Sequence, residues 1–266
     1  MKQPAAVGRI TLSATCLLIV LACRISVEHN IRTNRIPVRI GETTVYLLDH
    51  RADAPGLTYL VLHDDEDTAS RAALEVVRRH GGRLLELHHT GLRNVVFSLD
   101  GHRYTFDPNR IFTDAGARAT LADLSTDTPP ARDAVRALAD TILQRLNPAR
   151  DGVLVTVHNN TKGEYSALSY ADSAEYGQDA KSVHVERHED VDDFFFVTVP
   201  AWFDTVRDAG FNAVLQDNDQ VTDDGSLSVW AGAHDIPYVN VEAEHGHLSE
   251  QIHMLEFLND LLEGQR

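Results

Sequence analysis

Cysteine is nearly absent from this chain of 266 residues: there are two, Cys16 and Cys23, and both lie in the first 23 positions. The remainder can form no disulfide, no thiolate metal site and no iron–sulfur cluster, so any metal site there must use His, Asp and Glu. Basic residues are also few, 24 against 40 acidic ones, for a formal charge of −16. Such a surface repels phosphate backbones and excludes nucleic acid as a partner. Tryptophan occurs twice, at Trp202 and Trp230, and both read as core residues. After the N-terminus no second stretch has the length and apolarity of a membrane span, and neither repeats nor low-complexity segments occur.

What is present begins with a leader. Lys2 and Arg9 precede the short apolar run from Ile10 to Ala22, which ends in Val20-Leu21-Ala22-Cys23. This resembles a bacterial lipoprotein cleavage box, with Cys23 the candidate lipid acceptor. The expectation is export to the bacterial cell envelope, with membrane attachment through Cys23 or through the segment itself. An ordinary signal peptide or an uncleaved anchor are the alternatives. Residues 1–23 are then the leader, 24–35 a polar linker and 36–266 one α/β domain, long enough to bury a large core.

Within that domain the chain is organised around Thr58 to Arg71. Tyr59-Leu60-Val61-Leu62 reads as a buried strand, and it ends abruptly at His63-Asp64-Asp65-Glu66. Thr68 and Ser70 open an amphipathic helix. His63 and Glu66 therefore sit three residues apart at a strand's carboxyl end, where open α/β sheets bind ligands. The plainer reading is that acids 64–67 only favour a helix amino terminus. The event repeats at Val153 to Val157, an apolar strand ending in His158.

Elsewhere, Ile36–Ile40 and Thr43–Leu48 suggest a hairpin across Gly41-Glu42, and a second hairpin turns at Asp100-Gly101. Residues 114–130 read as loop and 131–146 as helix. Residues 161–192 read as a long polar excursion that could wall a cleft. Strands are expected at 194–199, 211–215, 227–230 and 238–243, and a closing helix at 248–262. The fold class is α/β: a single three-layer α/β/α domain with a mixed central sheet of about eight strands.

On the last strand Tyr238, Asn240, Glu242 and Glu244 share one face. Buried carboxylates there are expensive unless paired or coupled to a metal. Two imidazoles, one ligating carboxylate and one free carboxylate, if they converge, make a catalytic zinc site with an open water position. His88-His89, His245 and His247 read as solvated or supporting histidines, and Asp217-Asn218-Asp219 and Asp223-Asp224-Gly225 as loop acids, with a role in a cleft as the alternative.

The ordered set His63-x-x-Glu66, Asn109-Arg110, His158 and Glu244 resembles the zinc carboxypeptidase superfamily, which includes metallocarboxypeptidases and succinylglutamate desuccinylase/aspartoacylase-type amidohydrolases. The resemblance spans about residues 58 to 246 and implies a zinc-carboxypeptidase-like fold. It implies zinc held by His63, Glu66 and His158, a substrate carboxylate bound by Asn109 and Arg110, and Glu244 as general base, chosen over Glu242 because Gly246 completes a Glu-x-Gly. The implied activity is zinc-dependent hydrolysis of an amide near a carboxylate, in a peptide or N-acyl amino acid, with peptidoglycan stem peptides as the envelope substrate. The alternatives are a non-catalytic binding domain on the same fold and an N-acyl amino acid deacylase.

Overall fold

The structure is a computed structural model, and it describes residues 28–171 and 174–263. The leader, with Cys23, and the first four residues of the expected linker, 24–27, lie outside the described residues. In chain order the elements are β1 (Ile31–Ile40), β2 (Thr43–Ala52), β3 (Thr58–Val61), α1 (Asp67–His80), β4 (Arg83–His88), β5 (Val95–Leu99) and β6 (His102–Phe106). They continue with α2 (Asp114–Leu124), α3 (Pro129–Leu146), the short turn α4 (Pro148–Asp151), β7 (Leu154–Asn160), β8 (Ala180–His184) and β9 (Phe194–Val197). The last are α5 (Pro200–Asp208), β10 (Asn212–Gln216), α6 (Leu227–Ala233), β11 (Tyr238–Glu244) and α7 (Leu248–Glu263).

Nine strands form one sheet in the order β1-β2-β4-β3-β7-β11-β9-β10-β8, and β5 with β6 forms a separate hairpin. The central block β4-β3-β7-β11 is parallel, flanked by antiparallel pairings of β2 with β4 and of β9 with β11. This is the expected mixed sheet, with one strand more than the sequence suggested.

Side-chain alternation along the central strands builds the two outer layers. Tyr59 and Val61 join Val155, Val157, Val239 and Val241 in a core covered by α1, α5 and α7. Leu60 and Leu62 face the other way, into a core with Phe97, Phe106, Leu121, Val135 and Leu138 from the β5–β6 hairpin, α2 and α3. Strands buried on both faces read as continuous apolar runs, which is why β3 and β7 stand out in the sequence. Helix α1 presents Ala69, Ala72 and Ala73 to the sheet, small side chains that let it pack close over the central strands. The chain leaves it through Gly82, at φ +96°, where an added Cβ would stand 2.3 Å from the Leu57 carbonyl oxygen. Only glycine fits that turn.

The chain runs from β3 through α1 to β4 on one side, while β7 pairs on β3's other side. Between β3 and β7 the connections part, and a crevice opens at the carboxyl ends of the strands.

Four expectations need correction. Strand β1 starts at Ile31, so residues 31–35 of the expected linker pair with β2, Asn34 opposite Asp49; their side chains are mostly exposed, which hid the strand from apolar patterning. Residues 114–124 are helix, not loop: Thr113 caps α2 by accepting from the Gly116 N–H, and its buried face is Gly116, Ala117, Thr120 and Leu121, too small and polar to draw an apolar stripe. Leu227–Trp230 is the start of α6, not a strand; a short apolar run has no period that separates the two. Residues 161–192 contain strand β8 and two short 3-10 turns, Ala167–Tyr170 and Gly177–Asp179.

Candidate metal centre and substrate cleft

Immediately after β3 the chain turns tightly, the Glu66 N–H donating to the His63 carbonyl at 3.2 Å. Glu66 occupies the N-cap position of α1, where the helix dipole favours a carboxylate. His63 and Glu66 are 1% and 4% exposed. His63 Nδ1 lies 2.7 Å from Glu66 Oε1, and His158 Nδ1, from β7, lies 2.9 Å from Glu66 Oε2. The two imidazole rings are 5.1 Å apart between centroids. One ligand atom from each of His63, Glu66 and His158 falls within 4.8 Å of the others.

Polar ties hold the three donors in place. The Ala69 N–H of α1 donates to Asn159 Oδ1 at 2.7 Å, and the Gly246 N–H after β11 donates to Thr68 Oγ1 at 2.9 Å. Gln251 of α7 donates to the His158 carbonyl at 2.8 Å. His63 Nε2 meets Asp107 Oδ1 at 2.8 Å, the carboxylate–histidine arrangement that fixes the ring and turns the other nitrogen towards a metal. Asp107 is itself held by the Asn109 N–H on the same oxygen at 2.8 Å.

The electrostatics agree with a cation site. Burial works to lower the His63 imidazole, but Glu66 and Asp107 outweigh it and push it up to about 9. Burial works to raise Glu66, but the His63 and His158 imidazoles hold it well below the ordinary carboxylate range. Burial lowers His158, so its ring stays neutral, the form that ligates. His158 Nε2 is buried and has no hydrogen-bond partner among the described residues. The carboxylates around His63 demand a positive charge between them, which a proton or a divalent cation can supply. Two imidazoles and one carboxylate with no sulfur is a donor set suited to zinc, and the residues present fit that ion.

The resemblance implies Glu244 as general base, and the structure sets Glu242 and Glu244, on one face of β11, in different surroundings. Glu242, 4% exposed, lies opposite His158 in the β7–β11 register and lines the cavity that holds His63, Glu66 and His158. Glu244 stands one alternation further on, at the rim, where Lys162 approaches it at 3.3 Å and His247 at 3.8 Å. Gly246, at φ +102°, lies in the turn between β11 and α7. Burial first, and then the Glu66 charge, push Glu242 up to about 8. A directed chain supports it: Tyr238 donates to Thr156 (2.6 Å), Thr156 to Asn240 Oδ1 (3.1 Å), and Asn240 Nδ2 to Glu242 Oε2 (2.9 Å).

Asn109 and Arg110 line the same cavity, of about 390 Å³. Arg110 Nη1 donates to the Asn109 carbonyl at 3.0 Å and its Nε lies 3.5 Å from Asp224 Oδ2. Asp224 comes from the acidic loop for which a cleft role is the alternative reading, and it borders the cavity. That loop is seated by Gly225, whose carbonyl accepts from the Phe112 N–H at 2.9 Å, and a Cβ on Gly225 would stand 2.5 Å from the Arg110 carbonyl oxygen. Tyr165, Tyr170 and Tyr176 form one wall, so the 161–192 excursion borders the cleft as expected. Arg93, which sequence reasoning missed, reaches in from the β4–β5 loop and donates from Nη1 to Glu66 Oε1 at 3.0 Å. A lone arginine in a polar loop carries no signal of its own.

The other histidines stay outside the group. His88 Nδ1 is 2.8 Å from Asp64, and His247 Nδ1 is 2.9 Å from Asp193. A second set, Asp190, Glu244 and His247, gathers at the rim, but it is more exposed and Lys162 already neutralises part of it.

No protein-family model matches this chain, and no curated protein matches it. Among solved structures it is similar to murein-tripeptide amidase MpaA from Escherichia coli O157, at TM-score 0.44 and 14% identity, over 85% of this chain and 91% of that one. It is also similar to an aspartoacylase family protein from Mesorhizobium loti, at TM-score 0.39 and 10% identity, over 84% of this chain and 65% of that one. Likeness at this level assigns no function.

Proposed function

We propose that this protein is a zinc-dependent amide hydrolase that cleaves next to a substrate carboxylate. The observation that carries the reading is the convergence, in one cavity, of the buried His63–Glu66–His158 group, the buried Glu242 and the guanidinium of Arg110.

His63, Glu66 and His158 would hold the ion. When bound, zinc supplies Lewis acidity and brings a water's pKa towards neutrality. The chain's own residues do the rest. Arg110 and Asn109 anchor the substrate carboxylate, the guanidinium fork matching it in two parallel bonds. Glu242, in its ionised form, takes a proton from the attacking water and passes it to the amine nitrogen as the carbon–nitrogen bond breaks. The water oxygen ends in the new carboxyl group, whose remaining proton passes to the freed amine, so the products are a carboxylate and an ammonium and atoms and charge balance. Arg93 stands beside the ligating carboxylate and donates to the oxyanion that develops at the carbonyl. Asp107 holds the His63 ring, and the tyrosine wall keeps bulk water from the reacting bond.

If the N-terminal segment directs export, the amides at hand are those of peptidoglycan stem peptides, and a cell-wall carboxypeptidase or amidase is the concrete form of this proposal. The test is metal content and turnover together. The protein, prepared with zinc present, should carry about one equivalent per chain and hydrolyse N-acyl dipeptides with a free carboxylate. Folded protein that takes up no zinc removes the mechanism.

A further inference from the structure

Besides the groups used above, the cavity is lined by Gln216 at the end of β10 and Ser228 in the first turn of α6. Gln216 is 2% exposed. Its Nε2 donates to Asn218 Oδ1 at 2.9 Å and to the Ser228 carbonyl at 3.2 Å. A main-chain carbonyl can only accept, so the amide's orientation is fixed and Oε1 is the remaining acceptor end. That oxygen is buried and has no hydrogen-bond partner among the described residues. Gly232 makes room for the arrangement: a Cβ there would stand 2.9 Å from both Gln216 Nε2 and Asn218 Oδ1. The carboxylates of Asp224 and Asp179 border the same cavity.

An aliphatic or aromatic group entering here would leave the Gln216 oxygen unsatisfied and strip water from the carboxylates. A group that donates hydrogen bonds would satisfy them. We propose that the cleft selects a substrate in which the residue whose carboxylate Arg110 holds also bears a nitrogen-donor side chain, an amide or an ammonium, read by Gln216 Oε1. This rests on the amide-hydrolase reading for the placement of the carboxylate.

The test uses the full chain, zinc-loaded, and three probes: N-acetyl-Ala-Gln, N-acetyl-Ala-Lys and N-acetyl-Ala-norleucine, the last an unbranched aliphatic chain without a donor. The expected kcat/KM for Gln and Lys exceeds that for norleucine by about tenfold or more. Gln216→Leu should abolish that ratio, and Gln216→Glu should shift preference from Gln towards Lys. Calorimetric binding of the same peptides to Glu242→Gln protein gives a readout without turnover and should show the same order. Equal or better use of norleucine, in hydrolysis or in binding, overturns the proposal, as does an unchanged ratio in a Gln216→Leu protein that melts normally; if that variant does not fold, the unsubstituted protein and Gln216→Glu decide. Hydrolysis without donor preference leaves the hydrolase and sinks this pocket. Donor-selective binding without any hydrolysis does the reverse.

Discussion

Glu242 and His158 stand directly opposite each other on two parallel strands, and both side chains line one cavity. That pairing fixes the distance between a would-be base and a would-be ligand through backbone hydrogen bonds, not through a loop, which is the kind of support a catalytic geometry requires.

Glu242→Gln should therefore keep zinc and lose turnover by roughly 10²–10⁴-fold, the range general acid–base catalysis contributes. The same change at Glu244, which faces Lys162 at the rim, should leave kcat within about threefold. Measuring kcat and bound zinc for both variants checks the assignment. A large loss at Glu244 with little at Glu242 would return the base to the residue favoured by the Glu-x-Gly pattern.

Asp107→Ala should weaken zinc without touching a ligand. The carboxylate meets His63 Nε2 at 2.8 Å, and outer partners of this kind are worth about 10–100-fold in metal affinity. Competition with a chelator gives the number. Undiminished affinity would mean that His63 is held by packing alone.

Arg110→Lys tests the anchor. The lysine keeps the charge but loses the fork, so KM for carboxylate-bearing peptides should rise about tenfold with little change in kcat. The same peptides with an amidated terminus should show no difference between the two proteins. If instead both substrates suffer equally, Arg110 serves the loop that carries Asp224, 3.5 Å away, and not the substrate.

What could be read from residues alone was the local part of this site. His63-x-x-Glu66 is legible because a buried strand followed by a tight turn puts both side chains at one strand end whatever the rest of the chain does. His158 repeats that event on β7. The choice between Glu242 and Glu244 was not legible, since alternation puts both on one face and only the strand's true depth in the sheet tells the cavity from the rim. Arg93 was invisible for a related reason: its role comes from the path of the β4–β5 loop, which no spacing rule encodes. Helices α2 and α6 were misread where capping by Thr113 and Ser226 outweighed a weak or ambiguous apolar pattern.

The pH dependence of the metal-free protein follows from His63. Its folded pKa of about 9 lies above the ordinary 6.5, so the protonated ring stabilises the fold fully below pH 6.5, and that stabilisation is lost as pH rises towards 9. Glu242, raised to about 8 from 4.5, acts with the same sign over a lower window, because its folded form also holds a proton the unfolded chain has released. Chelated protein should thus lose stability steadily between pH 6.5 and 9, by roughly 3 kcal/mol from His63 at 1.36 kcal/mol per pKa unit. Zinc uptake must displace the His63 proton, so apparent affinity should climb about tenfold per pH unit through pH 7–9. Denaturant melts at several pH values, with and without zinc, check both. A metal-free melt that is flat across that range would show that His63 carries no extra proton, and the charge balance drawn for Glu66 and Asp107 would have to be redrawn.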